Sequence, residues 1–146
     1  MSERIPARLR RLVVERAFGV CEYCLLHQAD AAFTFPIDHI ISRKQRGPTT
    51  AANLALACLR CNVAKGTDLG AFIGDPPRLV RLYHPRQHRW SEHFSLAGVR
   101  IVPLTDESEA TVQLLSLNAG DRLHLRRALI KIGRYPSPEA LAYLRS

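Results

Sequence analysis

The sequence predicts an α+β fold in which two short strands and a helix are gathered between two pairs of cysteines, with a helix before them and a hairpin and further helices after. Three observations carry that reading. Cys21-x2-Cys24 and Cys58-x2-Cys61 are pairs at knuckle spacing, and residues 25–57 between them are numerous enough to hold secondary structure of their own. The stretch Phe33 to Ile41 is rich in β-branched and aromatic residues with moderate alternation, a strand pattern, and Ala51 to Leu59 is short and apolar, a second strand or a buried turn. From Cys58 the pattern turns helical through Asn62 and Lys65, with Gly66 placed to end the helix.

The flanking elements follow from the same rules. Pro6 to Phe18 sets Leu9, Leu12, Val13 and Ala17 at helical intervals with Arg8, Arg10, Arg11 and Arg16 mostly elsewhere, and Gly19 fits the stop, so a basic amphipathic helix leads into the first cysteine pair. Gly47-Pro48 breaks the chain after the first strand, inside a polar loop that carries Arg43, Lys44 and Arg46. Phe94 to Leu104, with Gly98 near its centre, reads as a hairpin. The segments Ser108–Leu117, Asp121–Ile132 and Pro138–Leu144 read as amphipathic helices. The expected division is a core over residues 1–72 and an extension over residues 73–146 packing on it, because a strand–strand–helix unit alone is too small for a sizeable core.

Two cysteine pairs of this kind can close a tetrahedral site around one Zn²⁺, with each sulfur about 2.3 Å from the metal and no open position, which makes the ion structural. The alternative is two disulfides. The opening Met-Ser-Glu-Arg-Ile-Pro has no apolar stretch to direct export to an oxidising compartment, so zinc and an intracellular, cytoplasmic setting are expected. At 146 residues and 47% hydrophobic, with no apolar run approaching the roughly 18 residues of a membrane span, the chain reads as a soluble domain without a membrane partner. Lys plus Arg number 21 against 13 Asp plus Glu, a net +8 that suits a polyanion; DNA is the expected partner, although a basic balance by itself also occurs without one.

Cys-Glu-Tyr-Cys at 21–24, Ile-Asp-His-Ile-Ile at 37–41, Asn53-Leu54 and Cys-Leu-Arg-Cys-Asn-Val-Ala-Lys-Gly at 58–66 together resemble the HNH endonuclease family, over about residues 8–70. The resemblance implies a ββα-metal (His-Me finger) core, phosphodiester cleavage with one divalent ion, and a four-cysteine zinc scaffold. It also implies that His39 is the general base and Asp38 a metal ligand. Asn62 stands at the third motif position as the second ligand, and Asn53 braces the loop that fixes the base.

The residues support the same chemistry independently. Hydrolysis needs a water deprotonated for in-line attack and stabilisation of charge on the phosphoryl oxygens; an imidazole titrates nearest neutrality, which suits His39 to the first task. Carboxylate and amide oxygens from Asp38 and Asn62 suit Mg²⁺ or Mn²⁺ better than a catalytic Zn²⁺. Consecutive residues of a regular strand face opposite ways, so the strand must end, bend or bulge near Asp38-His39 if both are to serve one cleft. Lys65 lies three residues after Asn62 on the same helix face, where it either touches phosphate or is a solvated lysine of the last turn. Arg43, Lys44 and Arg46 form a basic loop fit for backbone binding, or a solvated charge run.

The segment from His84 to His93 gathers three histidines, two arginines and Trp90; its histidine spacings match no standard structural zinc pattern, which leaves a packing or DNA-facing role as the stronger reading over a second metal site. No organic cofactor is expected. The functional expectation is a metal-dependent DNA endonuclease, with a non-catalytic zinc-stabilised DNA-binding module as the alternative and a zinc-stabilised protein-interaction domain as a third possibility that leaves the charge excess without a purpose.

Overall fold

The computed structural model describes residues 4–145. Helix α1 spans Ala7–Arg16, with Pro6 at its N-cap, and buries Val13. Phe18 and Gly19 then take left-handed φ values of 57° and 70°, which turns the chain into the first cysteine knuckle. That knuckle is closed by a bridge between Val20 and His27 and by the Cys21 amide donating to the Leu26 carbonyl at 2.8 Å.

Strand β1, Ile37–His39, pairs antiparallel with β2, Leu54–Leu56, setting Asp38 opposite Ala55 and His39 opposite Leu54. Both strands are shorter than the sequence pattern suggests. Pro36 has no N–H to donate to a ladder, although its carbonyl accepts from Ala57. At the other end of β2, residues Ala51–Asn53 form a 3-10 turn. Helix α2, Leu59–Lys65, starts where expected, with Cys58 as N-cap accepting from the Cys61 amide through its sulfur, and stops at Gly66 with φ 53°.

Two more antiparallel hairpins follow. Strands β3 (Gly70–Ile73) and β4 (Arg78–Arg81) pair across the place where the sequence suggests a division; this hairpin was not among the expected elements. The short helix α3, Trp90–His93, leads into β5 (Phe94–Ala97), which pairs with β6 (Arg100–Pro103) around Gly98, as the pattern indicates. Helices α4 (Asp106–Leu114), α5 (Gly120–Lys131) and α6 (Leu141–Arg145) complete the chain. The architecture is thus mixed α and β with small antiparallel sheets, and the four cysteines cluster at its centre. Among the described residues no helix is long and apolar enough to cross a membrane.

A single buried cluster runs from Val13 and Val20 through the cysteines and Leu54 and Leu56 to Trp90, Phe94, Ile101, Leu115 and Leu117. Polar bonds tie the later half to the first knuckle at three successive residues. Arg86 pairs with the Glu22 carboxylate, Trp90 Nε1 donates to the Tyr23 carbonyl at 3.0 Å, and the Tyr135 hydroxyl donates to the Cys24 carbonyl at 2.8 Å. Glu22 also accepts from the Leu56 amide at 2.8 Å, so the knuckle is locked onto β2 as well.

Candidate metal centre and catalytic cluster

The sulfurs of Cys21, Cys24, Cys58 and Cys61 all lie within 4.8 Å of one another and all four residues are buried. No disulfide joins them. Tetrahedral thiolates about 2.3 Å from Zn²⁺ stand about 3.8 Å apart, and Cys24 Sγ to Cys58 Sγ is 3.7 Å. The Cys24 amide points at Cys21 Sγ (3.5 Å) and the Cys61 amide at Cys58 Sγ (3.4 Å), the N–H to sulfur pattern that polarises thiolates toward a cation. Burial pushes the Cys21 and Cys61 thiols up in pKa, whereas hydrogen bonds among the sulfurs pull Cys24 down. A metal ion is bound by such sulfurs in their deprotonated form. The donor set and spacing therefore fit a structural zinc.

Asp38 and His39 are carried by β1, Asn53 by the turn before β2 and Asn62 by α2. His39 is the last residue of β1, and its Nε2 hydrogen-bonds the Thr49 hydroxyl at 2.9 Å across the loop. Asn53 is buried and spans the same loop: its Oδ1 accepts from the Ile41 amide at 2.8 Å, and its Nδ2 donates to the carbonyls of Ile41 (2.9 Å) and Pro48 (2.8 Å). Arg16 fastens α1 to this turn through the carbonyls of Ala51 (2.7 Å) and Leu54 (2.6 Å). Gly47 is obligatory here for a steric reason, since a Cβ would collide with the Ile41 carbonyl and crowd the Asn53 amide.

Asp38 lies in regular register one residue before His39, without a bulge, and is 4% exposed. Both of its oxygens have partners: Oδ2 accepts from the Tyr23 hydroxyl at 2.8 Å, and Oδ1 accepts from Lys65 Nζ at 3.2 Å. Lys65, expected from the sequence either on phosphate or in solvent, is 1% exposed and also donates to the His39 carbonyl at 3.1 Å. Burial pushes the Asp38 carboxyl up, an effect that Lys65 and Tyr23 partly offset. Asn62 stands one turn ahead of Lys65 on α2 and is half-buried. In the basic loop, Lys44 and Arg46 are exposed, with Arg46 at φ 68°, while Arg43 donates to the Gly47 carbonyl at 2.7 Å.

Of the three downstream histidines, His88 and His93 pack on Tyr83 and His84 packs edge-on against His88. His84 Nδ1 accepts from the amides of Arg86 and Gln87, and His88 Nδ1 from the amide of His84, while His93 Nδ1 pairs with the Thr105 hydroxyl at 2.7 Å. A neutral ring whose Nδ1 accepts carries its proton on Nε2, which leaves His84 and His88 without a lone pair for a metal. Among the described residues the four cysteines are the one group of three or more side chains arranged for an ion.

The clustered sulfurs and the loop braced by Asn53 between β1 and β2 lie in one stretch of the chain. Residues 21–68 match the family model described as HNH endonuclease, and the four clustered cysteines lie within that span, consistent with a zinc subtype. No curated protein and no solved structure matches the chain.

Sequence reasoning missed Tyr23 and Thr49 as partners of Asp38 and His39, and it placed Lys65 either on phosphate or in solvent, not against Asp38. Only the position of Lys65 on the helix face of Asn62 hinted that it could reach β1.

Proposed function

We propose that this protein is a DNA endonuclease in which His39 deprotonates the attacking water. The observation that carries the reading is the bracing of His39: Asn53 ties both ends of the loop that follows it, and Thr49 holds its ring. A base held from two sides loses little freedom on reaching the transition state. Thr49 fixes the ring orientation through Nε2, Asn53 acts on the loop without touching substrate, and Lys44 and Arg46 contact phosphates on the flanking backbone. Arg43 braces the loop through Gly47.

Asp38 and Asn62 supply oxygen donors suited to Mg²⁺ or Mn²⁺. In the arrangement described, such an ion reaches Asp38 only by competing with the Lys65 ammonium. Once bound, it would stabilise charge on the phosphoryl oxygens.

The second reading, a DNA-binding module without turnover, draws on that same engagement of Asp38 by Lys65 and Tyr23, which makes the carboxylate a satisfied core group. Plasmid nicking separates the two. The endonuclease should cut with added Mg²⁺ or Mn²⁺, stop with EDTA, and lose at least about a hundredfold in rate in His39→Ala with zinc retained, the lower end of what a general base contributes. DNA binding unaffected by His39→Ala, with no cutting in any divalent metal, selects the module.

A further inference from the structure

Arg122, on α5, is 6% exposed and lies outside the segment that matches the family. Its Nη1 donates to the Leu115 carbonyl at 2.8 Å, and its Nη2 lies 2.9 Å from Cys61 Sγ and 3.8 Å from Cys58 Sγ. No described carboxylate pairs with it. One turn on, Arg126 is equally buried but binds only oxygens: the carbonyls of Val99 and Leu117 at 2.6 Å each and Asn118 Oδ1 at 3.1 Å. Two guanidiniums thus share one helix face, and one of them is aimed at the sulfur cluster.

A buried cation without a counter-charge is costly, and neutral thiols offer it little. Four thiolates around a divalent ion carry a net double negative charge, which is the counter-charge this guanidinium lacks. We propose that Arg122 is an outer-sphere member of the zinc centre, donating a charge-assisted N–H···S bond to Cys61 and halving the net charge of the cluster, so that the metal site of the matched segment is completed by the C-terminal half of the chain. Lowering the charge and fixing one thiolate from outside slows metal loss without changing the ligand set. The inference rests on reading the four cysteines as a zinc site and is independent of whether the protein cuts DNA.

The test uses the full chain loaded with zinc. Zinc content is measured first, then the rate of zinc transfer to a chromophoric chelator, and then the sulfur-to-metal charge-transfer band of the Co²⁺-substituted protein. Arg122→Met should release zinc at least about tenfold faster, the lower end of second-shell effects. Its cobalt band should move to lower energy, because a thiolate that loses a hydrogen bond becomes the better electron donor. Arg126→Met is the control: it removes an equally buried guanidinium but should leave the cobalt band where it is. Should Arg122→Met not fold, Arg122→Lys carries the test, since it keeps the charge but cannot bridge Leu115 and Cys61 together, and its band must still shift. An unchanged band with unchanged zinc release in the Arg122 variants overturns the proposal. A wild-type protein that holds no zinc sinks the metal reading beneath it, a failure visible at the first measurement.

Discussion

Asp38, expected from the sequence as a metal ligand, has neighbours that its motif does not announce. Its carboxylate and the Lys65 ammonium are both almost fully buried, so each depends on the other for its counter-charge. Lys65→Met should therefore lower stability by about 3–5 kcal/mol, as expected when one partner of a buried pair is removed; urea unfolding at neutral pH measures it. The sign with pH is fixed by the upward shift of Asp38. An acid whose folded pKa is raised binds its proton more tightly in the fold, so the folded state gains as pH falls through that value. Removing Lys65 enlarges the shift, and the deficit of Lys65→Met should shrink between pH 8 and pH 5. A deficit independent of pH in that window would mean that Lys65 contributes packing, not charge. For Asn53→Ala the expected cost is about 2–3 kcal/mol, since three backbone groups lose partners, and thermal melting with zinc content followed in parallel should show the loss without release of the ion.

At the scale of elements, the sequence was most readable where a pattern is local. Helix α2 lay between Cys58, whose sulfur caps it, and Gly66, which ends it, and both signals are side-chain or backbone properties of single residues. The β5–β6 hairpin announced itself through Gly98. Strands β1 and β2 were overread because aromatic and β-branched residues at 33–36 signal strand propensity whether or not a partner strand is present to pair with them. The β3–β4 hairpin escaped because most of its residues are at least partly exposed, which leaves only weak alternation. In the candidate site, the motif residues were legible by type and spacing. The partners Tyr23, Thr49 and Arg122 were not, because nothing in the chain near a motif residue encodes what folds against it from far away. Trp90 is one such long-range contact, stacked on Phe94 and donating into the first knuckle at Tyr23. If the four cysteines hold zinc, removing it with a strong chelator should shift tryptophan emission to the red; emission that stays put would show the knuckle holding its shape without metal.

For the molecule as a whole, part of the basic excess behind the net +8 lies exposed on α1 and on the loop after β1. Helix α1 packs against β2 and the turn that carries Asn53, and it exposes Arg8, Arg10 and Arg11, while the loop after β1 exposes Lys44 and Arg46. If Lys44 and Arg46 each neutralise one phosphate, replacing both with Ala should lower the slope of log K against log salt by about two. Arg43→Ala should instead loosen the loop through Gly47 and leave that slope nearly unchanged. Fluorescence anisotropy on a duplex across a salt series reads both. The tethers from Tyr135 to Cys24 and from Tyr143 to the Ala17 carbonyl join residues more than a hundred positions apart. On the ribosome all four thiols emerge well before Tyr135 and Tyr143, so a nascent chain passes through a stage at which its sulfurs are complete but the backbone around the first pair is not yet tied to the C-terminal half.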